Sequence, residues 1–151
     1  MVFIILNQNS KMIIQFKKLT KSNLETEKLG VEFSKNISRG DIIALNGNLG
    51  SGKTTFVKGV LKGLNYKYDV TSPTYTLINE YYTKYKIIHI DCYREKDLNR
   101  WLNIGITDYF DNNCILFIEW FENIKSILPK NINLINFKMV SENERLISCN
   151  E

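Results

Sequence analysis

A chain of 151 residues with 44% hydrophobic content fits one domain around one substantial core, with little room expected for extra modules. Its net charge of +4 comes from 20 basic and 16 acidic residues mixed along the chain, weaker and less clustered than in a dedicated nucleic-acid binder. Cys92, Cys114 and Cys149 are widely spaced and odd in number, which excludes a CxxC pair or a cysteine–histidine ligand cluster and points to reduced cytosolic thiols.

The N-terminal run Met1 to Leu6 is apolar, but it is too short for a spanning helix and lacks a basic flank and a small-residue cleavage site. Neither an export signal nor membrane association is expected. Clear alternation begins at Met12, so residues 1–11 read as a poorly ordered extension or a start-site choice, and the sequence leaves both open. Met12 to Lys17 reads as a strand. Ser22 followed by Glu25 is a capping-box signature for a helix carrying Leu24, Leu29, Val31 and Phe33 and ending near Ser38 to Gly40.

Asp41 to Asn46 is a short apolar run entering a glycine-rich turn, and Thr54 to Leu64 is helix-compatible. Further strands are expected at Thr76–Tyr82, Tyr85–Ile90, Cys114–Ile118, Ile132–Val140 and Arg145–Cys149, with a helical stretch around Glu95–Phe110. Strands alternating with helices predict a single α/β domain over residues 1–151, a three-layer sandwich around a mixed, partly parallel central sheet.

The turn Gly47 to Thr54, GNLGSGKT, matches the P-loop pattern G-x-x-x-x-G-K-[ST]. Its glycines let successive backbone N–H groups turn inward around phosphate oxygens, while the following helix presents its positive end. Asn48, Leu49, Gly50, Ser51, Gly52, Lys53, Thr54 and Thr55 are therefore the expected nucleotide contacts. Lys53 can bridge the β- and γ-phosphates, and the Thr54 hydroxyl can take one position around Mg²⁺. Such a match arises by chance in about 0.5% of chains this long at average residue usage, and the strand before it and helix after it sharpen it. ATP and Mg²⁺ are the expected cofactors.

A P-loop site also needs a carboxylate at the end of a neighbouring strand. Lys86 to Asp91, KIIHID, and Cys114 to Glu119, CILFIE, are both apolar runs ending in an acid, as buried parallel strands would deliver it. Spacing does not divide the roles of Asp91 and Glu119. His89 is the lone histidine and reads as a packed or hydrogen-bonded structural residue more readily than a catalytic one. Thr71 to Thr76, TSPTYT, is either an ordinary turn or a segment sensing the γ-phosphate. Trp120 can stack on a base or pack in the core. Arg94 suits phosphate neutralisation or a surface salt bridge, and Lys58, Lys62 and Lys67 read as a solvated lysine face.

Taken in order, GNLGSGKTTF, TSPTYTLINEY, HIDCYR, NIGITDYF and IEW resemble the bacterial TsaE family of small ATPases in tRNA threonylcarbamoyladenosine biosynthesis. The likeness runs from about Asp41 to Trp120 and is more specific than the P-loop alone. It implies nucleotide and Mg²⁺ binding at Lys53 and Thr54, a functional requirement for Asp91 and Glu119, and switch-like behaviour of the segments holding Ser72, Thr74 and Arg94. It also implies that Glu119 is the metal-side acid, with Thr54 as fellow ligand, and Asp91 the switch-side one. Further, it implies a cytoplasmic ATPase, weak alone, that cycles a complex of two larger proteins, TsaD and TsaB; any tRNA contact is expected to be indirect. Three departures, Cys92 and Glu95 where aliphatic residues are common and Phe121 in place of a frequent proline, remove no phosphate or metal ligand. Two other readings remain: a nucleotide-dependent interaction switch with little hydrolysis, and a small-molecule kinase. The kinase would usually carry an arginine-rich lid, yet between Arg94 and Arg145 only Arg100 occurs.

Overall fold

The computed structural model describes residues 3–6, 12–111 and 113–151. In chain order these form β1 (Phe3–Leu6), β2 (Met12–Thr20), α1 (Asn23–Phe33), β3 (Ile42–Asn46), α2 (Lys53–Gly63), β4 (Ile78–Tyr82), β5 (Lys86–Asp91), α3 (Leu98–Asn103), β6 (Cys114–Glu119), β7 (Asn133–Met139) and β8 (Arg145–Cys149). Short 3-10 helices occupy Ile106–Phe110 and Phe121–Ile127.

Period-two alternation sorts the apolar side chains into two layers. Ile43 and Leu45 of β3, with Ile115 and Phe117 of β6, face a core shared with Leu29 and Phe33 of α1 and Phe56, Val57, Val60 and Leu61 of α2. Ile42, Ala44, Leu116 and Ile118 face the other side, against Trp101 of α3 and Ile106, Phe121 and Ile124 of the 3-10 helices. The result is the expected three-layer α/β sandwich. Its sheet runs β1-β2-β8-β7-β3-β6-β5-β4, with a parallel centre of β7, β3, β6 and β5 and antiparallel flanks. No helix among the described residues is long and apolar enough to cross a membrane.

Of the stretch 1–11, Phe3–Leu6 form an edge strand paired antiparallel to β2, and the other residues lie outside those described. The first helix begins as expected, with the Ser22 hydroxyl accepting from the Glu25 N–H at 3.1 Å, but stops at Phe33. There the Ser34 hydroxyl donates to the Val31 carbonyl at 2.7 Å and the Asn36 amide donates to Glu32, satisfying carbonyls a further turn would have used. The stretch 95–110 is likewise not one helix. Asp97 caps α3, and Gly105, at φ +80°, separates it from a 3-10 turn. β4 starts at Ile78 because Leu77 adopts φ +66° and donates its N–H to the Pro73 carbonyl at 2.7 Å, closing a turn.

Two glycines let α1 and α2 meet backbone to backbone. A Cβ at Gly59 would overlap the Glu27 carbonyl oxygen and lie 2.8 Å from its carbonyl carbon; a Cβ at Gly30 would overlap the Phe56 carbonyl oxygen and lie 2.9 Å from the Val60 nitrogen. This contact fixes α2, and with it the residue that opens it, Lys53, over the sheet.

Candidate functional site

The parallel strands β3, β6 and β5 end side by side, so their C-terminal ends gather the site. β3 runs into the glycine turn, β6 ends in Glu119, and β5 ends in Asp91, which is in register with Glu119. In the turn Gly50 and Gly52 adopt φ +77° and +103°, conformations that side chains with a Cβ resist. Gly52 is the N-cap of α2 and offers no side-chain acceptor, so the first N–H groups of the helix point at the cleft uncapped.

Lys53 is buried and makes several contacts at once. Its ammonium donates to the carbonyls of Gly47 at 2.6 Å and Asn48 at 3.0 Å, lies 3.8 Å from Glu119 Oε2, and sits 5.2 Å from the centre of a Trp120 ring. Burial pushes its pKa below the ordinary lysine value, and the charges of Glu119, Asp91 and Glu122 oppose that shift.

Glu119 is the point where the acidic side converges. Its Oε1 accepts from the Thr54 hydroxyl at 3.4 Å and lies 2.9 Å from His89 Nε2. With the carboxylate ionised, that nitrogen is the donor, and His89, fully buried, orients Glu119 rather than facing the cleft. Asp91 is held separately. Its Oδ2 accepts from the Thr74 hydroxyl at 2.8 Å, its Oδ1 accepts from the Tyr93 N–H at 2.8 Å, and Ser72 lies 2.7 Å from Thr74. The segment TSPTYT is therefore joined to the end of β5 through one hydroxyl.

These residues line a cleft of about 620 Å³. Leu49 to Thr55 form its floor; Ser72, Thr74, Asp91, Glu119 and Trp120 form one wall. Asn48 alone of the expected nucleotide contacts turns away: it borders a smaller cavity beside β7 and reaches the site only through its carbonyl. Trp120, at φ +55°, follows β6 directly, packs against Tyr93 with ring centroids 4.9 Å apart, and is half-buried, so it lines the cleft on one side and packs against the core beneath the sheet on the other. Arg94 stacks on Tyr75, its Cζ 4.1 Å from the ring centre.

A family model described as "Threonylcarbamoyl adenosine biosynthesis protein TsaE" matches residues 20–147. The chain belongs to the TsaE family. It is 45% identical over 96 residues to the tRNA threonylcarbamoyladenosine biosynthesis protein TsaE of Haemophilus influenzae, an alignment covering 63% of this chain and 61% of that one. It is 36% identical over 146 residues to the protein of that name from Borreliella burgdorferi, covering 92% and 99% of the two chains. The crystal structure of Bacillus subtilis YdiB superimposes with a TM-score of 0.77 at 31% identity, covering 93% of this chain and 87% of that one.

The TsaE motifs account for the floor and one wall of the cleft. The opposite wall includes Asn23 and Arg145, which the sequence offered only as helix and strand residues. Arg145 lies 93 positions after Gly52, and only the return of β8 beside β7 brings it to the loop.

Proposed function

We propose that this chain is an ATPase that binds ATP with Mg²⁺ and hydrolyses it to ADP and phosphate in support of threonylcarbamoyl modification of a tRNA adenosine. The observation that carries this reading is the convergence of Lys53, Thr54 and His89 on the Glu119 carboxylate beside an uncapped helix N-terminus. Two oxygen-bearing side chains, Thr54 and Glu119, suit a small hard cation that takes its other ligands from phosphate and water. The positive-φ glycines and the free N–H groups of α2 suit phosphate.

In this reading Mg²⁺ neutralises phosphate charge when bound with ATP. The backbone of Gly50 to Thr55 cradles the phosphates, and Lys53 transfers its donors from the Gly47 and Asn48 carbonyls to phosphate oxygens. Thr54 is a direct metal ligand, and Glu119, oriented by His89, holds the metal side of the site. Asp91 fixes Thr74, and so couples the state of the phosphates to the TSPTYT segment. TsaD and TsaB are the proposed partners, the location cytoplasmic, and tRNA contact indirect. Catalysis that depends on positioning and charge fits activation by another chain that completes the site.

The test is steady-state ATP hydrolysis with Mg²⁺, alone and with TsaD and TsaB, using Lys53→Ala as the blank. Strong stimulation supports the reading; tight ATP binding with no turnover in either condition overturns it. The Thr74–Asp91 bond favours one second reading, a switch whose complex depends on bound ATP alone. Complex formation unchanged in Asp91→Ala and Glu119→Ala, both still binding ATP without turnover, would select the switch.

A further inference from the structure

Arg145 opens β8 and is 8% exposed, yet it lines the phosphate cleft. The sheet order places it opposite the carboxylates: β8 lies two strands from β3 on one side, while β6 and β5, which carry Glu119 and Asp91, lie on the other. Its stem rests on the loop, since a Cβ at Gly52 would come 3.0 Å from Arg145 Cδ and 3.2 Å from Nε. Gly52 immediately precedes Lys53. In a P-loop the backbone N–H groups cradle the α- and β-phosphates, while the lysine reaches the β- and γ-phosphates.

Among the described residues the charge on this side chain has no counter-ion. Nε is buried without a hydrogen-bond partner, and Nη1 donates to the Asn143 carbonyl at 3.2 Å. None of the ion pairs among the described residues includes Arg145. Burying an unpaired guanidinium is costly unless an anion completes it. The buried Thr20 hydroxyl donates to the Arg145 carbonyl at 3.3 Å, which fixes the backbone and does not meet the guanidinium.

From this geometry we infer that Arg145 is a nucleotide-binding residue that pairs with the α- and β-phosphates, on the far side of the loop from the metal. The planar fork of donors suits a phosphate better than a lysine point charge would. Such a contact is made equally to ATP and ADP, so Arg145 sets nucleotide affinity and leaves the ATP-to-ADP preference to Lys53, Thr54 and Glu119. The inference rests on nucleotide binding at the P-loop and extends it to a wall that the motifs do not cover.

Titration calorimetry of ATP and ADP into the full chain with Mg²⁺ tests it, comparing the unaltered protein with Lys53→Ala, Arg145→Lys and Arg145→Met. Loss of a charge-assisted contact predicts affinity about tenfold or more weaker in Arg145→Met, by the same factor for both nucleotides, with Arg145→Lys between. Unchanged ADP affinity in Arg145→Met, or weakening confined to ATP, overturns the assignment. If Arg145→Met fails to fold, the Arg145 Nε–H resonance of the unaltered protein, identified by its loss in Arg145→Lys, is followed during ADP addition. A shift at saturating ADP supports the contact, and an unmoved resonance in a protein that binds ADP refutes it. Unaltered protein that binds neither nucleotide refutes the P-loop reading itself, a result distinct from failure of the Arg145 assignment alone.

Discussion

Substituting Gly59 by alanine sets two effects of known size against each other. In the interior of α2, alanine is favoured over glycine by about 1 kcal/mol. Against that, the added Cβ would overlap the Glu27 carbonyl oxygen and lie 2.8 Å and 3.0 Å from the Glu27 carbonyl carbon and Cα, where 3.4 Å is the onset of ordinary contact. The obstacle is backbone, so no rotamer change relieves it, and α1 and α2 must separate. Overpacking of this kind costs about 1–3 kcal/mol, and rigid backbone on both sides places it at the upper end. The net expectation for Gly59→Ala is a loss of about 2 kcal/mol, or roughly 4–8 °C in Tm for a domain of this size. Urea unfolding measures it, with exposed Lys58→Ala on the same helix as a control expected within about 0.5 kcal/mol of the unaltered protein. Because α2 carries Lys53 at its start, nucleotide affinity should fall as well. A Gly59→Ala protein as stable as its parent would refute the close backbone contact and the argument that it positions the phosphate site.

His89→Leu removes the hydrogen bond that orients Glu119, and the Mg²⁺ concentration for half-maximal ATP turnover should rise about tenfold, with partial recovery in His89→Gln; an unchanged Mg²⁺ requirement would show that Glu119 needs no such support. Thr74→Val cuts the link between Ser72 and Asp91, and should lower partner-stimulated turnover about tenfold while ADP affinity, by calorimetry, stays within about threefold. Equal losses in both would make Thr74 a simple nucleotide contact. All three cysteines are buried, and burial pushes the Cys114 and Cys149 thiols up to about 11 and about 12 and raises Cys92 further. Little thiolate exists at pH 8, so intact mass after treatment with N-ethylmaleimide should show no adduct on the native chain and three in urea; rapid native labelling would contradict their burial.

How much of this was legible in the sequence depended on the range of the interaction that decides each feature. β3, β5 and β6 were readable because both of their faces are buried and their residues are apolar almost throughout, and the acids that end two of them mark the ligand edge. The end of α1 was not readable, because a serine back-bond and a side-chain amide stop it, and neither residue type is a strong terminator. The stretch 95–110 has helical residues, but Gly105 takes a left-handed conformation that its neighbours alone do not dictate. That Ser51, Gly52, Lys53, Thr54, Asp91 and Glu119 share one cleft was legible because a local motif or a strand end names each of them. Arg145 was not found, since nothing near it in the chain is unusual and its place at the loop is a product of strand order.

Glu119 draws these observations into one constraint on how the site works. A single carboxylate is approached by the ammonium of Lys53, the hydroxyl of Thr54 and the imidazole of His89, while Lys53 also serves two carbonyls of its own loop. The ammonium has three donors, so it cannot keep both carbonyls and grip a phosphate fully. On the proposed reading, nucleotide entry exchanges bonds within the loop rather than adding to them, and Glu119 would exchange part of its pairing with Lys53 for a place on the metal side of the site. His89 is the partner that the exchange leaves in place, because it is buried beneath the carboxylate and does not line the cleft. Arg145 stands outside the exchange as well, its charge not engaged by Glu119 or Asp91. Arg145 and Glu119 thus lie on opposite flanks of one loop, and if the first sets binding strength and the second the chemistry, as proposed, substitutions on the two flanks should change affinity and turnover independently.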